Sequence, residues 1–261
     1  MVLPLSDEKQ KIASAFGRAA KRYDSIAHYQ QNSGHQLLNL LTSTLFNNRD
    51  LRAKKVMDAG CGTGFFSQVM SECGAEVMAL DLSSGMLEVA RSKGAAADYT
   101  CADMESLPFE DEAFDIVFSN LALQWCGSLR ETLSELYRVT KSGGAVAFTT
   151  LAQGSLSELS LAWASLDGQS HVNNFLSYQE ILECCKAWRH QLILQPDKLY
   201  YPDLTSLLNS LKGIGATHLT AGRKGGLMTR QRLDQLSCAY PTSDSGLALT
   251  YQTVFGIIYR D

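Results

Sequence analysis

The chain has 261 residues, a formal net charge of −4 and a hydrophobic fraction of 45%. This composition excludes a low-complexity or disordered chain, and the acidic balance argues against a nucleic-acid partner, which would require a basic surface. At this length we expect one α/β domain with a small cover.

The sequence contains no recognisable signal for export or for metal binding. No apolar run reaches the length of a membrane span, and the first residues lack the basic-then-apolar order of a signal peptide. Seven cysteines are scattered along the chain without a C-x-x-C pair, so neither zinc nor a disulfide framework is predicted. Free thiols are typical of a reducing compartment, and we expect a cytoplasmic protein with no metal and no membrane partner.

Residues 1–45 precede the first predicted strand and contain two predicted helices. In residues 9–23 the apolar side chains recur at helical spacing, and residues 35–46 form a second, leucine-rich helical segment. We expect residues 1–45 to form a helical lid over the main domain, which comprises residues 46–261.

Strands and helices alternate in the pattern between residues 54 and 150. The predicted strands are 54–58, 75–81, 98–102, 113–119 and 144–150, and the predicted helices are 64–73, 84–93 and 129–140. This alternation predicts a parallel, doubly wound sheet with right-handed crossovers. We expect Gly143-Gly144 to close the helix before the fifth strand.

The alternation ends after residue 150. The later pattern predicts helices at 156–166, 178–189, 204–211 and 230–239, strands at 191–201 and 249–259, and a loop at 212–228. The two added strands give a seven-stranded, mostly parallel sheet, with cover insertions expected near 152–190 and 204–240. Ser128, Ser155 and Ser177 each precede a Glu by three positions, which is the spacing of a capping box at a helix start.

A glycine-rich turn follows the first predicted strand. Its sequence is Val56-Met57-Asp58-Ala59-Gly60-Cys61-Gly62-Thr63-Gly64, and a helical pattern begins directly after it. Strand, glycine turn and helix together are typical of a nucleotide-binding unit. The G-x-G-x-G spacing differs from the G-x-G-x-x-G of dinucleotide sites, and Asp58 would repel an anion. The turn therefore favours a cationic ligand such as S-adenosylmethionine (SAM), which carries a sulfonium.

Polar side chains end four of the predicted strands. Asp58 and the glycine turn end the first, and Asp81 ends the second, 21 positions after Gly60. Asp103-Met104 ends the third, and Asn120 ends the fourth. Each acid alone could equally cap the next helix. Because ligands of open α/β sheets bind at the carboxyl ends of the strands, four such residues in register predict one ligand site.

Residues 50–150 resemble the class I SAM-dependent methyltransferases, and this resemblance implies a Rossmann-like fold and SAM as cofactor. It implies that the glycine turn surrounds the methionine part of SAM, that Asp81 binds the ribose hydroxyls and that Asp103 accepts from the adenine amino group. The implied cofactor-binding residues are Asp58, Gly60, Cys61, Gly62, Gly64, Asp81, Leu82, Met86, Asp103, Met104 and Asn120.

Longer sequence motifs indicate a particular family within the methyltransferases. Asn120-Leu121-Ala122-Leu123 lacks the Pro-Pro-aromatic run of enzymes that methylate base amino groups, which argues against DNA or RNA substrates. The chain instead is similar to the malonyl-acyl carrier protein O-methyltransferases of biotin biosynthesis. The sequence motifs on which this resemblance rests lie at residues 15–23, 119–126, 135–139, 147–151 and 210–218.

This resemblance implies methyl-ester formation on the free carboxylate of a malonyl thioester, carried by acyl carrier protein or by coenzyme A. The methyl ester removes the negative charge of the malonyl carboxylate, so that the acyl chain can be elongated toward pimelate. Because carrier proteins are acidic, a local basic patch is expected on this net-negative chain. Two stretches qualify: Lys9, Lys11, Arg18, Lys21 and Arg22, and Arg223, Lys224, Arg230 and Arg232.

A malonyl carboxylate is ionised near neutral pH, so the reaction needs no general base. It needs a cation or several donors to hold the carboxylate in a dry pocket. Candidates are Tyr23, Gln124, Trp125, Lys212, His218 and Arg223. Each has a structural alternative, as a packing, core or solvated side chain. A SAM-dependent enzyme acting on a small molecule or quinone precursor remains an alternative, as does a non-catalytic SAM-binding domain, and the oligomeric state stays open.

Overall fold

The computed structural model describes residues 5–45, 50–169, 171–213 and 229–261. Its strands begin and end within a few residues of the predicted bounds. They are β1 (Lys55–Ala59), β2 (Glu76–Asp81), β3 (Asp98–Cys101), β4 (Phe114–Ser119), β5 (Thr140–Leu151), β6 (His190–Tyr201), β7 (Thr242–Ser243) and β8 (Gly246–Tyr259).

The strands form one sheet in the order β3-β2-β1-β4-β5-β8-β6. The first five run parallel, and β8 pairs antiparallel with both β5 and β6. The seven-stranded, mostly parallel sheet is therefore confirmed. The two-residue β7 pairs with β8 as an eighth strand that the sequence pattern did not predict.

Helices cover both faces of the sheet in the described part of the chain. They are α1 (Asp7–Ala19), α2 (His28–Leu45), α3 (Phe65–Glu72), α4 (Ser84–Ser92), α5 (Leu129–Val139), α6 (Ser157–Asp167), α7 (Tyr178–Cys185), α8 (Leu204–Gly213) and α9 (Arg230–Ala239). The predicted helix 9–23 is divided into α1 and a 3₁₀ helix, Ala20–Ser25, and α2 begins seven residues before its predicted start.

Two hydrophobic cores lie on opposite faces of the sheet. In β4, Ile116 and Phe118 pack with α2 and α3, whereas Val117 packs with α5 and α7. Neighbouring side chains of a strand point to opposite faces, so a central strand that is covered on both sides is apolar throughout. This burial explains why the sequences of the central strands are apolar at consecutive positions.

A third core joins the C-terminal helices to the antiparallel strands. Trp163 of α6, Leu207 of α8 and Leu236 of α9 pack with Leu249 and Tyr251 of β8. β8 has 14 residues and β6 has 12, so both extend beyond the short parallel strands. The extended part of the sheet therefore supports its own layer of helices beside the carboxyl ends of β1 to β4.

The three capping-box predictions have different outcomes. Ser177 and Glu180 form a complete box, and the Ser128 side chain accepts from the backbone N–H of Glu131. The prediction at Ser155 is wrong, because its hydroxyl donates to the Ala152 carbonyl and α6 begins only at Ser157. Glu158 instead accepts hydrogen bonds from Thr250 of β8.

Gly143-Gly144 does not close a helix, and that prediction is also wrong. α5 ends at Val139, and the glycine pair lies inside β5 near an irregularity in its pairing with β4. A Cβ on Gly144 would collide with the Asp115 carbonyl oxygen. Glycine is therefore needed at position 144, where two strands approach closely.

Most of the predicted loop 212–228 lies outside the described residues. Within the ranges that the structure describes, no helix combines the length and the apolar character required to cross a membrane. Those ranges also contain no group of His, Cys, Asp or Glu side chains placed to hold a metal ion.

Candidate active site

The carboxyl ends of β1 to β4 open into a cleft, which we call the first cavity. Its volume is about 690 Å³, within the roughly 300–1,000 Å³ of small-molecule sites. It is lined by Lys9, Ile12, Phe16, Tyr23, Gly60, Gly62, Asp81, Leu82, Met86, Ala102, Asp103, Met104, Asn120, Leu121, Ala122, Trp125 and Cys126. The sequence-predicted strand ends therefore meet in one place, except for Asp58.

Asp81 holds the glycine turn in place. Its carboxylate accepts hydrogen bonds from the backbone N–H groups of Gly62 and Ser83, each at 2.8 Å. Burial raises the pKa of Asp81, while these N–H groups oppose the rise. The same carboxylate lines the first cavity, so its remaining lone pairs can accept from a ligand.

Gly62 presents its backbone to the first cavity. Its φ is +56°, and a Cβ built on it would have no atom within 4 Å. The space beside the Cα atom is thus open cavity rather than packed protein. A ligand can approach this backbone closely only because the residue lacks a side chain.

Three predicted cofactor residues are not part of the cavity wall. Asp58 is 2% exposed and accepts a hydrogen bond from Ser67 Oγ at 2.6 Å, below the turn. The backbone N–H of Cys61 donates to the Leu80 carbonyl at 2.9 Å. A Cβ on Gly64 would lie 2.6 Å from the Cβ of Ala95, so Gly64 allows close packing against the end of α4. These residues support the turn from behind.

Lys9 of α1 is an unpredicted member of the site. Its ammonium group pairs with the carboxylates of Asp103 and Glu105, and its side chain is only 18% exposed. Because the pair brings α1 to the end of β3, the N-terminal helix covers one end of the first cavity. Asp103 therefore lines the cavity with its charge already balanced by Lys9.

The N-terminal segment is attached at a second point. Asp24, in the 3₁₀ helix that follows α1, accepts from the Thr63 hydroxyl and pairs with Lys93. Between the two attachments, the backbones of Gly17 and Gly85 allow α1 to pack closely on α4. Residues 7–25 thus lie across the first cavity.

Asn120 lines the first cavity, but its side chain is held by protein groups. Its amide oxygen accepts from the hydroxyls of Ser33 and Thr149, at 3.0 and 2.8 Å, and its amide nitrogen donates to the Gln30 carbonyl at 2.9 Å. These bonds connect α2 and β5 to the end of β4. Asn120 therefore positions the wall of the site.

A second cavity adjoins the first and has a volume of about 710 Å³. It shares Phe16, Tyr23, Leu121 and Trp125 with the first cavity. Its remaining lining residues are Gln30, Gln124, Leu151, Leu156, Leu159, His171, Val172, Asn173, Phe175, Leu211 and Tyr251. The four shared side chains mark the junction at which ligands of the two cavities would meet.

Tyr23 places a neutral donor at this junction. Burial, and then the charges of Asp81 and Asp24, raise the pKa of its phenol well above the usual value, so the hydroxyl keeps its proton. Among the described residues, its hydroxyl makes no hydrogen bond. Trp125 lies beside it, in edge contact with Phe16 at 5.4 Å between ring centroids.

His171 faces the second cavity and was not predicted. Its Nε2 lies 2.8 Å from the Asp167 carboxylate, and its ring packs against Trp163 with centroids 4.5 Å apart. Burial raises the pKa of Asp167, but hydrogen bonds from His171 and the Gln169 N–H outweigh this effect and lower it. Arg232 pairs with the same carboxylate. Asp167 thus orients the His171 ring.

The other substrate candidates have different outcomes. Gln124 lines the second cavity and Trp125 lines both cavities. Lys212 is exposed on the last turn of α8 and is not part of either wall. His218 and Arg223 lie outside the described residues.

Comparisons with known proteins give a consistent result. Residues 57–148 match the family model described as "Methyltransferase domain". The chain is 49% identical to the malonyl-[acyl-carrier protein] O-methyltransferase of Serratia marcescens over 253 residues, which cover 97% of this chain and 96% of that protein. Identity to the Yersinia pestis enzyme of the same name is 48%, covering 99% and 94%.

The chain belongs to the malonyl-[acyl-carrier protein] O-methyltransferase family. The fold extends further than this family. The crystal structure of the YcgJ protein from Bacillus subtilis matches with a TM-score of 0.60 at 21% identity, covering 87% of this chain and 99% of that one. The predicted class I methyltransferase fold is confirmed.

In this member of the O-methyltransferase family, buried acids and thiols lie close to the first cavity. Burial raises the pKa of the Cys126 thiol to about 11. Burial also raises the pKa of Asp58 to about 7, with the nearby Asp81 charge adding to the rise and the Ser67 hydrogen bond opposing it. The free enzyme therefore has a carboxyl group behind the glycine turn that titrates near neutral pH.

We expect Asp58→Asn to stabilise the ligand-free enzyme at pH 8 by roughly 1–4 kcal/mol. The folded pKa lies above the unfolded value of 3.8. The contribution of Asp58 to stability is therefore fully present below about pH 4 and is lost as the pH rises through about 7. Urea unfolding of both proteins between pH 4 and 8 should show stabilities that converge toward pH 4. Asp98→Asn, at an exposed position, is the control, and parallel curves for Asp58→Asn and wild type would contradict the assignment.

Proposed function

We propose that this enzyme transfers a methyl group from SAM to the free carboxylate of a malonyl group on acyl carrier protein. The observation that carries the proposal is the junction of two cavities. One has an acidic wall, and the other has neutral donors and a histidine. The names of the full-length relatives support the same substrate.

The first cavity suits a ligand with hydroxyl groups and positive charge. Asp81 and Asp103 supply carboxylates, and among the described lining residues Lys9 is the only Lys or Arg, already paired with Asp103 and Glu105. Leu82, Met86 and Met104 supply an apolar wall. When bound, SAM supplies a methyl group on a positively charged sulfur.

The binding roles follow from these positions. Asp81 would accept from the ribose hydroxyls with the lone pairs left free by Gly62 and Ser83. Asp103 would accept from the adenine amino group while Lys9 balances its charge. The open backbone at Gly62 would lie against the methionyl part.

The chemistry requires alignment rather than proton removal. A carboxylate oxygen of the substrate forms a bond to the methyl carbon while the carbon–sulfur bond breaks, and the electron pair of that bond stays on sulfur. No proton moves, so none of the residues must act as a base. The chain must place the oxygen in line with the carbon–sulfur bond and keep water away. Phe16 and Trp125 at the junction suit that task.

Donors for the carboxylate lie at the junction and beyond it. The Tyr23 hydroxyl keeps its proton and makes no hydrogen bond to the described residues. The indole N–H of Trp125 is a second candidate donor. His171 is the one His, Lys or Arg among the described residues of the second cavity wall. These three side chains can hold an anion without the cations predicted at positions 212, 218 and 223.

A carrier protein would approach near the N-terminal segment. Lys9 is not available for the predicted basic patch, because it is paired with Asp103 and Glu105 and is mostly buried. Arg232 pairs with Asp167, and Arg223 and Lys224 lie outside the described residues. We therefore propose the exposed basic face of residues 11–22 as the docking patch for an acidic carrier. This face contains Lys11, Arg18, Lys21 and Arg22.

The decisive experiment is mass spectrometry of malonyl-acyl carrier protein after incubation with enzyme and SAM. The malonyl carrier should gain the mass of one methylene, and acetyl-carrier protein, which lacks the carboxylate, should not change. Malonyl-coenzyme A tests the second candidate substrate. If a quinone precursor is methylated and the malonyl carrier is not, the alternative function replaces this one. Calorimetric SAM binding without any methyl transfer would indicate the non-catalytic alternative.

Gly62→Val should abolish SAM binding and leave the protein folded. The branched side chain would fill the open space beside the turn. Gly143→Val is the matched control, because Gly143 also has a positive φ, +79°, and open space around its Cα, at the opposite end of β5. Calorimetric titration should show native SAM affinity for Gly143→Val. Native affinity in Gly62→Val would remove the turn from the binding site.

Tyr23→Phe should lower kcat/KM for the malonyl carrier by roughly 10- to 100-fold, because a hydrogen bond to a charged group contributes about 1.5–3 kcal/mol. SAM affinity should stay unchanged. Tyr29→Phe is the control, since the Tyr29 hydroxyl is bonded to Thr253 and Tyr29 is not part of either cavity wall. That variant should lose stability and keep its kcat/KM. An unchanged kcat/KM in Tyr23→Phe would exclude Tyr23 as a carboxylate donor.

A further inference from the structure

Gln124 has an unusual environment in the second cavity. Among the buried side-chain nitrogen and oxygen atoms of the described residues, its Oε1 is the one without a hydrogen-bond partner. Buried polar atoms in native proteins are nearly always paired, because an unpaired one loses its hydration without compensation. Gln124 lines the second cavity, so a molecule bound there can supply the missing partner.

The orientation of the Gln124 amide is fixed by its other end. Nε2 donates to the Leu121 carbonyl at 2.7 Å. Rotating the amide by half a turn would bring two oxygen atoms together and lose this bond. Oε1 is therefore the unpaired acceptor of the amide, and its partner must be a donor. A carboxylate has no proton to donate, so Oε1 cannot be the atom that holds the substrate carboxylate; any such role for Gln124 would fall to the second N–H of Nε2.

The substrate offers a donor a few bonds from the reacting group. A malonyl thioester carries only acceptor oxygens in its acyl part. The first N–H along the chain beyond the sulfur is the amide of the pantetheine arm. Gln124 is the sequence neighbour of Trp125, which lines both cavities at the junction. A carboxylate held at the junction would thus leave the thioester and this amide to extend along the second cavity.

We propose that Gln124 Oε1 accepts a hydrogen bond from the pantetheine amide nearest the thioester sulfur. This proposal rests on the proposed function. It makes Gln124 a substrate-recognition residue for pantetheine thioesters, whether the arm is carried by a protein or by coenzyme A. A free dicarboxylate or a simple alkyl thioester would leave Oε1 unpaired, and the enzyme would discriminate against it.

The test pairs one change in the enzyme with one change in the substrate. The substrates are malonyl-pantetheine and an analogue in which an ester oxygen replaces the nitrogen of that amide, which removes the donor and keeps the shape. The enzymes are wild type and Gln124→Met, which keeps the length of the side chain without polar atoms. Wild type should prefer the amide substrate by roughly tenfold or more in kcat/KM. Gln124→Met should show no preference, since the two changes remove the same bond.

Binding gives a second readout that does not depend on methyl transfer. The Kd of each pantetheine compound, measured without SAM, should show the same pattern in both enzymes. Equal kcat/KM and equal Kd for the two compounds in wild type would overturn the proposal, as would a preference retained in Gln124→Met. The wild-type comparison needs no variant, so it decides the question even if Gln124→Met does not fold.

Failure of the proposed function would have a different signature. In that case the malonyl carrier itself would gain no methyl group with wild-type enzyme. If the carrier is methylated and the amide and ester compounds behave alike, only the role of Gln124 is lost.

Discussion

The hydrogen bonds of the Asp81 carboxylate fix the geometry of the glycine turn in the wall of the first cavity. One oxygen holds the Gly62 N–H and the other holds the Ser83 N–H, so a single side chain joins the turn after β1 to the start of α4. These bonds also compensate for burying a charged group. A carboxylate has about four lone-pair sites, and two N–H groups leave room for two ligand hydroxyls. Structural support and ligand binding are therefore compatible in the same residue.

The two cavities are built from different parts of the chain. The turn after β1 and the ends of β2, β3 and β4 form the first, within the region that matches the methyltransferase family model. Most of the second is formed by residues from Leu151 to Tyr251, beyond that match. The antiparallel β8 makes this possible, because its extended end carries the additional helical layer. Under the proposed function, the parallel half would thus hold the cofactor, and the C-terminal half would supply most of the wall around the substrate.

Local patterns in the sequence were sufficient for the sheet and for the acidic strand ends, because period and spacing are properties of short segments. They were insufficient where the partner is distant in the chain. Lys9 reaches Asp103 across 94 positions, and the Ser155-x-x-Glu158 pattern does not reveal that β8 binds the glutamate. His171 lacked a motif, because it lies beyond the predicted helix 156–166 and beyond the end of α6, so no helical spacing linked it to Asp167. The role of Asn120 as a positioning residue also depends on partners in α2 and β5.

The raised pKa of Cys126 has a consequence for the enzyme's own survival. A methyltransferase holds a strong alkylating agent against its own side chains for as long as the second substrate is absent. The nucleophilic form of cysteine is the thiolate, and burial keeps the Cys126 thiol protonated at neutral pH. A buried thiol in the wall of the first cavity can therefore be tolerated, because burial outweighs the nearby charge of Lys9, which acts to lower the pKa of the thiol. The burial that keeps this thiol neutral therefore protects the protein from its own reagent.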